Sequence, residues 1–348
     1  MSALQWLATG SGSLTLARVK AAFITAPCPA DGIQFGDLPQ PQPRAGEALV
    51  RVRAVSVNPI DTYIRAGMVK MNLPSPFIIG CDLAGVVEAV GAECKRFQVG
   101  DRVWCSNQGQ FGRQGSFAEF ACVEERWLNA TPAGVRDEDA AAIALVGITA
   151  HLGLFAKARL QAGETVFVNG GAGGVGSMVV QLAKAAGARV VATAGSDERV
   201  AKARSFGADL ALNHRTQDVA AAVKEFAPAG VNVFWETQRE PDFDRAVPLL
   251  APRGRFVLMA GREARPVFPV GPFYVKDCSL HGFAMFNATP DEQRVCAADL
   301  NRWLAEGKVR ANIDRVLPLA EAAQAHRLQE ESTLQKSGAL AGKLVLKP

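Results

Sequence analysis

The chain has 348 residues, of which 49% are hydrophobic and 21% charged, with a formal net charge of +4. That length suits two domains of ordinary size, and the composition is that of a globular protein with ample material for its cores. The modest charge, without a lysine or arginine block or basic-aromatic interleaving, argues against nucleic acid as a partner. No continuous apolar stretch argues for a membrane span.

Residues 1–17 show no clean period, contain Gly10-Ser11-Gly12-Ser13, and lack the basic start and long apolar core of a secretory signal. They read as a flexible N-terminal extension. A first strand is predicted at 19–25, followed by turns at Pro39, Pro41 and Pro43. Residues 48–57 alternate apolar and polar as a half-buried strand. Further β signal lies at 77–90 and 102–105, punctuated by Gly80, Gly85, Gly91 and Gly100. The texture changes near Asp137, where an alanine-rich helical stretch runs to Phe155. Strands are then predicted at 166–168, 189–193, 210–212, 231–235, 255–259 and 279–283. Helices fill the gaps at 178–186, 199–206, 219–226 and 243–249. This alternation predicts an α/β fold with a doubly wound parallel sheet. A helix at 291–306, a strand at 313–317, a helix at 319–329 and a strand at 343–347 are expected to return to the front domain. The predicted domains are therefore a strand-rich one, 18–143 with 288–348, and an inserted dinucleotide-binding one, 144–287.

The most specific segment follows the strand at 166–168 and reads Asn169-Gly170-Gly171-Ala172-Gly173-Gly174-Val175-Gly176. In a strand-turn-helix context, Gly171 is expected to permit the turn, Gly173 to admit a pyrophosphate, and Gly176 to let the helix pack on the strand. Amide groups of residues 171–176, with Ala172, Gly174 and Val175 among them, would face the phosphates. The next strand ends in Gly195-Ser196, where a carboxylate selecting NAD is usual; Asp197 and Glu198 come later, as helix-start acids do. The third strand ends in Asn213-His214-Arg215. Ser196, Arg199, His214 and Arg215 are read as a clamp for a 2′-phosphate, hence NADPH. Asp197 as a ribose partner is the competing reading.

Several motifs occur together: Asn58-Pro59-Ile60-Asp61-Thr62-Tyr63, Gly80-Cys81-Asp82-Leu83-Ala84-Gly85, Val99-Gly100-Asp101-Arg102-Val103, Gly115-Ser116-Phe117-Ala118-Glu119-Phe120 and Gln181-Leu182-Ala183-Lys184. With them the chain, from Val19 to Lys347, resembles the medium-chain dehydrogenase/reductase superfamily in its zinc-free quinone oxidoreductase (zeta-crystallin-like) branch. The resemblance implies a Rossmann sheet inserted into a GroES-like catalytic domain. It implies no metal, because Asn58 and Pro59 stand where the zinc enzymes carry a cysteine and a histidine. It places Asn58 and Tyr63 in the substrate pocket beside the nicotinamide, where Asn58 offers an amide donor to a substrate oxygen and Tyr63 either a proton donor or a ring that stacks. Gly147 and Thr149 would meet the nicotinamide end, and Gly261, Phe283 and Lys343 complete the expected cofactor-side set. Asp61 is read as organising its turn, and Asp82 as structural. The implied reaction is NADPH-dependent hydride transfer to a quinone or an activated alkene. A nucleotide-binding sensor without turnover, or a reductase of acyl-thioesters or haloacrylates, stays open. The predicted edge strand at 279–283 suggests a homodimer. Seven cysteines without a C-x-x-C pair suggest reduced thiols and a cytoplasmic location.

Overall fold

A computed structural model describes residues 17–335 and 337–348. The predicted N-terminal extension thus lies almost wholly outside the described residues. Six parallel strands form one sheet, in the spatial order Leu210–Asn213, Arg189–Ala194, Thr165–Asn169, Val231–Glu236, Leu250–Leu258, Ser279–Gly282. All six predicted strands are present, with slightly different ends. The order reverses beside Thr165–Asn169, so the connecting segments leave to opposite sides and a crevice opens at the strand ends. Both faces of this sheet are covered. Along Thr165–Asn169, Phe167 stacks on Phe234 at 4.6 Å, and Phe234 on Phe256 at 4.8 Å, within one cluster. Val166 and Val168 alternate to the other face and join the larger core.

A second, mostly antiparallel sheet is built on Glu47–Val57. Val50 and Val52 point inward while Arg51 and Arg53 are exposed, which is the alternation read from the sequence. This strand pairs with Asp82–Val90, Phe120–Glu124 and the closing strand Lys343–Lys347, and Ile313–Pro318 flanks the last in parallel. The C-terminal strands therefore complete the front sheet. The β signal at 77–90 divides into Phe77–Ile78, paired with the first strand, and Asp82–Val90. Gly80 makes the break: its φ is +102°, and a Cβ there would lie 2.1 Å from Phe117 Cδ1. The segment after Asn58, expected as a turn, is a short helix, Pro59–Arg65, with proline at its first position.

The helix Asp137–His151 continues as a π-helical stretch, Leu152–Lys157. By length and composition Asp137–Lys157 is apolar enough to cross a membrane, a feature the sequence reading passed over. However, 83% of its apolar window is buried inside the protein. It is a core helix, apolar all round because it packs on both sheet systems. Its widened turn coincides with Gly153, where a Cβ would fall 2.2 Å from Trp235 Cη2.

Candidate active site

A cavity of about 460 Å³ opens at the ends of the parallel strands. Its walls are the glycine turn 170–176, the strand end Ala194-Gly195, the pair His214-Arg215, Thr237 to Arg239, and Asn58 and Lys343 from the front sheet. The helix Gly174–Ala185 begins at the cavity with no side-chain cap, so its first amides have no partner within the helix. Gly173 has only Gly170 O near its missing Cβ, at 3.6 Å, so that side stays open for close approach. Gly176 is the packing glycine: a Cβ there would sit 2.0 Å from Gly170 O. One role moves by a residue. Gly170, not Gly171, takes the left-handed turn, with φ +90°. Gly171 instead lets the neighbouring strand come near, since its Cβ would lie 2.6 Å from Ala192 Cβ. The Asn-Gly pair at 169–170 is the signal that identifies this turn in the sequence.

At the far end, Gly195 lacks a side chain beside His214 and Arg215, with Arg215 Nε 3.5 Å from where a Cβ would stand. The Arg215 guanidinium makes no hydrogen bond or ion pair with another described residue. Burial, then the Arg215 charge, lowers the His214 pKa. The predicted clamp is otherwise rearranged. Ser196 caps the helix Asp197–Ser205, its Oγ accepting from Arg199 N at 3.4 Å. Arg199 lines the cavity but gives Nη2 to Gly338 O and Leu340 O, at 2.8 and 2.7 Å. Asp197 Oδ1 accepts from Asn213 Nδ2 at 2.7 Å, which engages one of the two oxygens of the exposed carboxylate considered as a ribose partner.

The front-sheet side holds a buried polar cluster that sequence reasoning saw only in pieces. Asn58 is fully buried: Nδ2 donates to Asp82 Oδ2 at 2.8 Å, and Oδ1 accepts from Lys343 Nζ. Lys343 Nζ also donates to Val57 O at 2.6 Å. Ser56 Oγ donates to the same Asp82 oxygen, and Asp61 Oδ2 accepts from Asn58 N at 2.7 Å, so Asp61 does organise the turn. Where donation to a substrate oxygen was expected of Asn58, its amide donates to Asp82 and its oxygen accepts from Lys343, while the residue still lines the cavity. Burial raises the pKa of Asp61 to about 7, against the pull of its hydrogen bonds and of Lys343. Asp82 is likewise raised by burial, and burial lowers Lys343 although both carboxylates oppose that shift.

Gly147 and Thr149 have other partners than the cavity. The missing Cβ of Gly147 faces Leu300 Cδ1 at 3.0 Å, and Thr149 Oγ1 donates to Leu145 O. The wall there is Leu145 and Val146, missed because the helix phase, not the motif, decides which residues face in. Gly261, with φ +82°, packs on Arg239 O, and Phe283 packs edge-on against Trp235. Tyr63 is half-buried; burial raises its pKa, countered by the charges of Arg239 and Arg262. Among the described residues, no group of three or more histidine, cysteine or acidic side chains is arranged to hold a metal ion.

This geometry has close relatives. Residues 44–133 match the alcohol dehydrogenase GroES-like domain, and residues 174–301 match the zinc-binding dehydrogenase domain. The quinone oxidoreductase of Rattus norvegicus is 33% identical over 311 residues, covering 89% of this chain and 92% of that protein. The mycobacterial quinone oxidoreductase structure superposes with a TM-score of 0.82 at 31% identity, covering 95% of this chain and all of that one. The Escherichia coli quinone oxidoreductase complexed with NADPH gives a TM-score of 0.79 at 26% identity, covering 95% of this chain and 99% of that one. The chain therefore belongs to the medium-chain dehydrogenase/reductase superfamily, in its quinone oxidoreductase branch, and is an NAD(P)H-dependent oxidoreductase.

Proposed function

We propose that this enzyme reduces quinones or activated alkenes with NADPH, without zinc. The observation that carries the cofactor reading is the free Arg215 guanidinium beside side-chain-less Gly195, with Asp197 tied to Asn213. When bound, NADPH supplies a hydride equivalent to an electrophilic carbon or quinone. The uncapped start of Gly174–Ala185, with Gly173 open in front of it, would hold the diphosphate. Arg215 and His214 would hold the 2′-phosphate. Leu145 and Val146 form an apolar wall that excludes water. Tyr63, whose phenol carries its proton at neutral pH as tyrosines ordinarily do, serves as a donor to the substrate oxygen. Zinc independence is supported by Lys343: its ammonium already bonds Asn58 and balances Asp61 and Asp82, the positive charge that a metal would bring.

The protein is expected to bind NADPH at least about 10-fold more tightly than NADH, since one charged hydrogen bond is worth roughly 1.5–3 kcal/mol. Arg215→Ala should abolish that ratio in titrations of both cofactors at low salt. Equal dissociation constants in the parent protein would remove the clamp. Turnover is read from NADPH absorbance over a panel of quinones, enones and 2-alkenals; cofactor binding without consumption by any of them would leave only a sensor.

The homodimer reading also stands as a proposal. Ser279–Gly282 ends the six-stranded sheet, and Leu280, Tyr274 and Val275 beside it are exposed. An uncovered apolar edge of this kind favours a two-fold partner. Light scattering at micromolar protein should give twice the chain mass; a monomeric mass would reject it. The reduced cysteines favour a cytoplasmic location, and the division at residues 144 and 287 remains our domain assignment.

A further inference from the structure

The cavity walls carry four cations, Arg199, Arg215, Arg239 and Lys343, and no aspartate or glutamate among the described residues. Three of them are accounted for. Arg199 is held by the carbonyls of Gly338 and Leu340, and Lys343 by Val57 O and Asn58. Arg215 lies at the Gly195 end, assigned above to the cofactor's 2′-phosphate. Arg239 remains. It stands on the opposite part of the wall with Thr237 and Gln238, is half-buried, and makes no hydrogen bond or ion pair with another described residue. A second unpaired cation, Arg262, comes from the loop that touches the Arg239 loop, where Gly261 packs against Arg239 O. That contact sets Arg262 beside Arg239 on the part of the wall lined by Thr237 and Gln238. A half-buried guanidinium with no carboxylate partner, in a cleft where Arg199 and Lys343 are held by the protein and Arg215 is assigned to the cofactor, is matched by an anion on the ligand.

We propose that the preferred electrophile carries a carboxylate, which Arg239 and Arg262 hold while Tyr63 faces the oxygen of the group being reduced. The proposal rests on the reductase reading above and narrows its substrate class. For an alkene conjugated to a ketone, the reduction balances simply. The β-carbon takes up hydride from NADPH, the π pair passes through the α-carbon to the ketone oxygen, and as that pair returns a proton from water adds at the α-carbon. The products are the saturated keto acid and NADP⁺. The carboxylate takes no part in the bond changes; it orients the alkene and lowers KM.

The test compares 6-oxo-7-octenoate with its methyl ester, in which four methylenes insulate the enone from the carboxyl group, so that the acceptor is the same with and without the charge. In the parent enzyme kcat/KM for the acid should exceed that for the ester by about 10-fold or more, the worth of one charged hydrogen bond. The excess should shrink as salt rises. Arg239→Gln should bring the ratio near one, mainly through KM for the acid, and Arg239→Lys should keep part of it. Arg262 is exposed, so Arg262→Gln, which leaves the fold intact, should reduce the ratio by itself. An acid-to-ester ratio near one in the parent, or a ratio unmoved by both glutamine variants, overturns this inference while the reductase reading survives. If NADPH binds but neither compound nor any quinone oxidises it, both fail together.

Discussion

Replacing Lys343 by methionine should destabilise the protein by about 3–5 kcal/mol at pH 8, the cost of removing one partner from a buried set of charges. Methionine keeps the apolar length of the side chain and deletes only the ammonium. Its loss strips Asn58 Oδ1 and Val57 O of their donor and leaves Asp61 and Asp82, both fully buried, facing each other without a cation. The pH dependence identifies the cause. Burial holds the pKa of Asp61 at about 7, so the folded state keeps a proton that the unfolded chain has already released above the ordinary carboxylate range. The contribution of Asp61 is therefore fully present at low pH and is lost as pH rises toward 7, by about 1.4 kcal/mol per pH unit in that window. In Lys343→Met the carboxyls have even less reason to ionise. The difference from the parent should be smallest at pH 5, where Asp61 is protonated in both, and largest at pH 8. Adding Asp61→Asn removes one of the stranded charges and should recover part of the loss; asparagine still accepts the bond from Asn58 N. Urea titrations of the parent and both variants at both pH values give the comparison. A pH-independent loss that the second substitution does not relieve would mean that Lys343 matters only as packing.

That cluster also marks the limit of what the chain tells a reader in one dimension. The six parallel strands were legible because each is a short apolar run closed by glycine or by a helix start, and both sheet faces are covered, so local pattern and global fold agree. The glycine turn was legible for the same reason, apart from one residue of phase between Gly170 and Gly171. The short helix Pro59–Arg65 was not, since seven residues carry too little period to separate a helix from a turn. Asn58 and Lys343 were each singled out, yet their contact spans 285 positions and exists only because Leu344 pairs with Val57 across two antiparallel strands. No local pattern encodes that register. The same holds for Arg199: its place at the start of a helix is read easily, but the carbonyls of Gly338 and Leu340 that take its guanidinium arrive from the other end of the chain.

The glycine turn offers the sharpest separation of fold from cofactor. At Gly176 an added methyl would meet Gly170 O at 2.0 Å, a backbone atom within the turn itself, which has no rotamer to give way. Gly176→Ala should therefore cost stability at the upper end of the roughly 1–3 kcal/mol typical of overpacking, and lose NADPH binding because the turn must shift. At Gly173 the nearest atom is 3.6 Å away, and φ −78° with ψ −179° suits alanine without strain. Gly173→Ala should fold with the parent's Tm, or slightly above it, since alanine restricts the unfolded chain more than glycine does. Its methyl, however, stands in front of the uncapped helix start where a diphosphate must come close. NADPH affinity should fall by about 10-fold or more, equivalent to about 1.4 kcal/mol. Thermal unfolding and cofactor titration on both variants give four numbers, and the expected pattern is one variant damaged in both and the other in binding alone. If Gly173→Ala binds NADPH as the parent does, the diphosphate does not approach at this helix start, and the cofactor must enter the cavity from another wall.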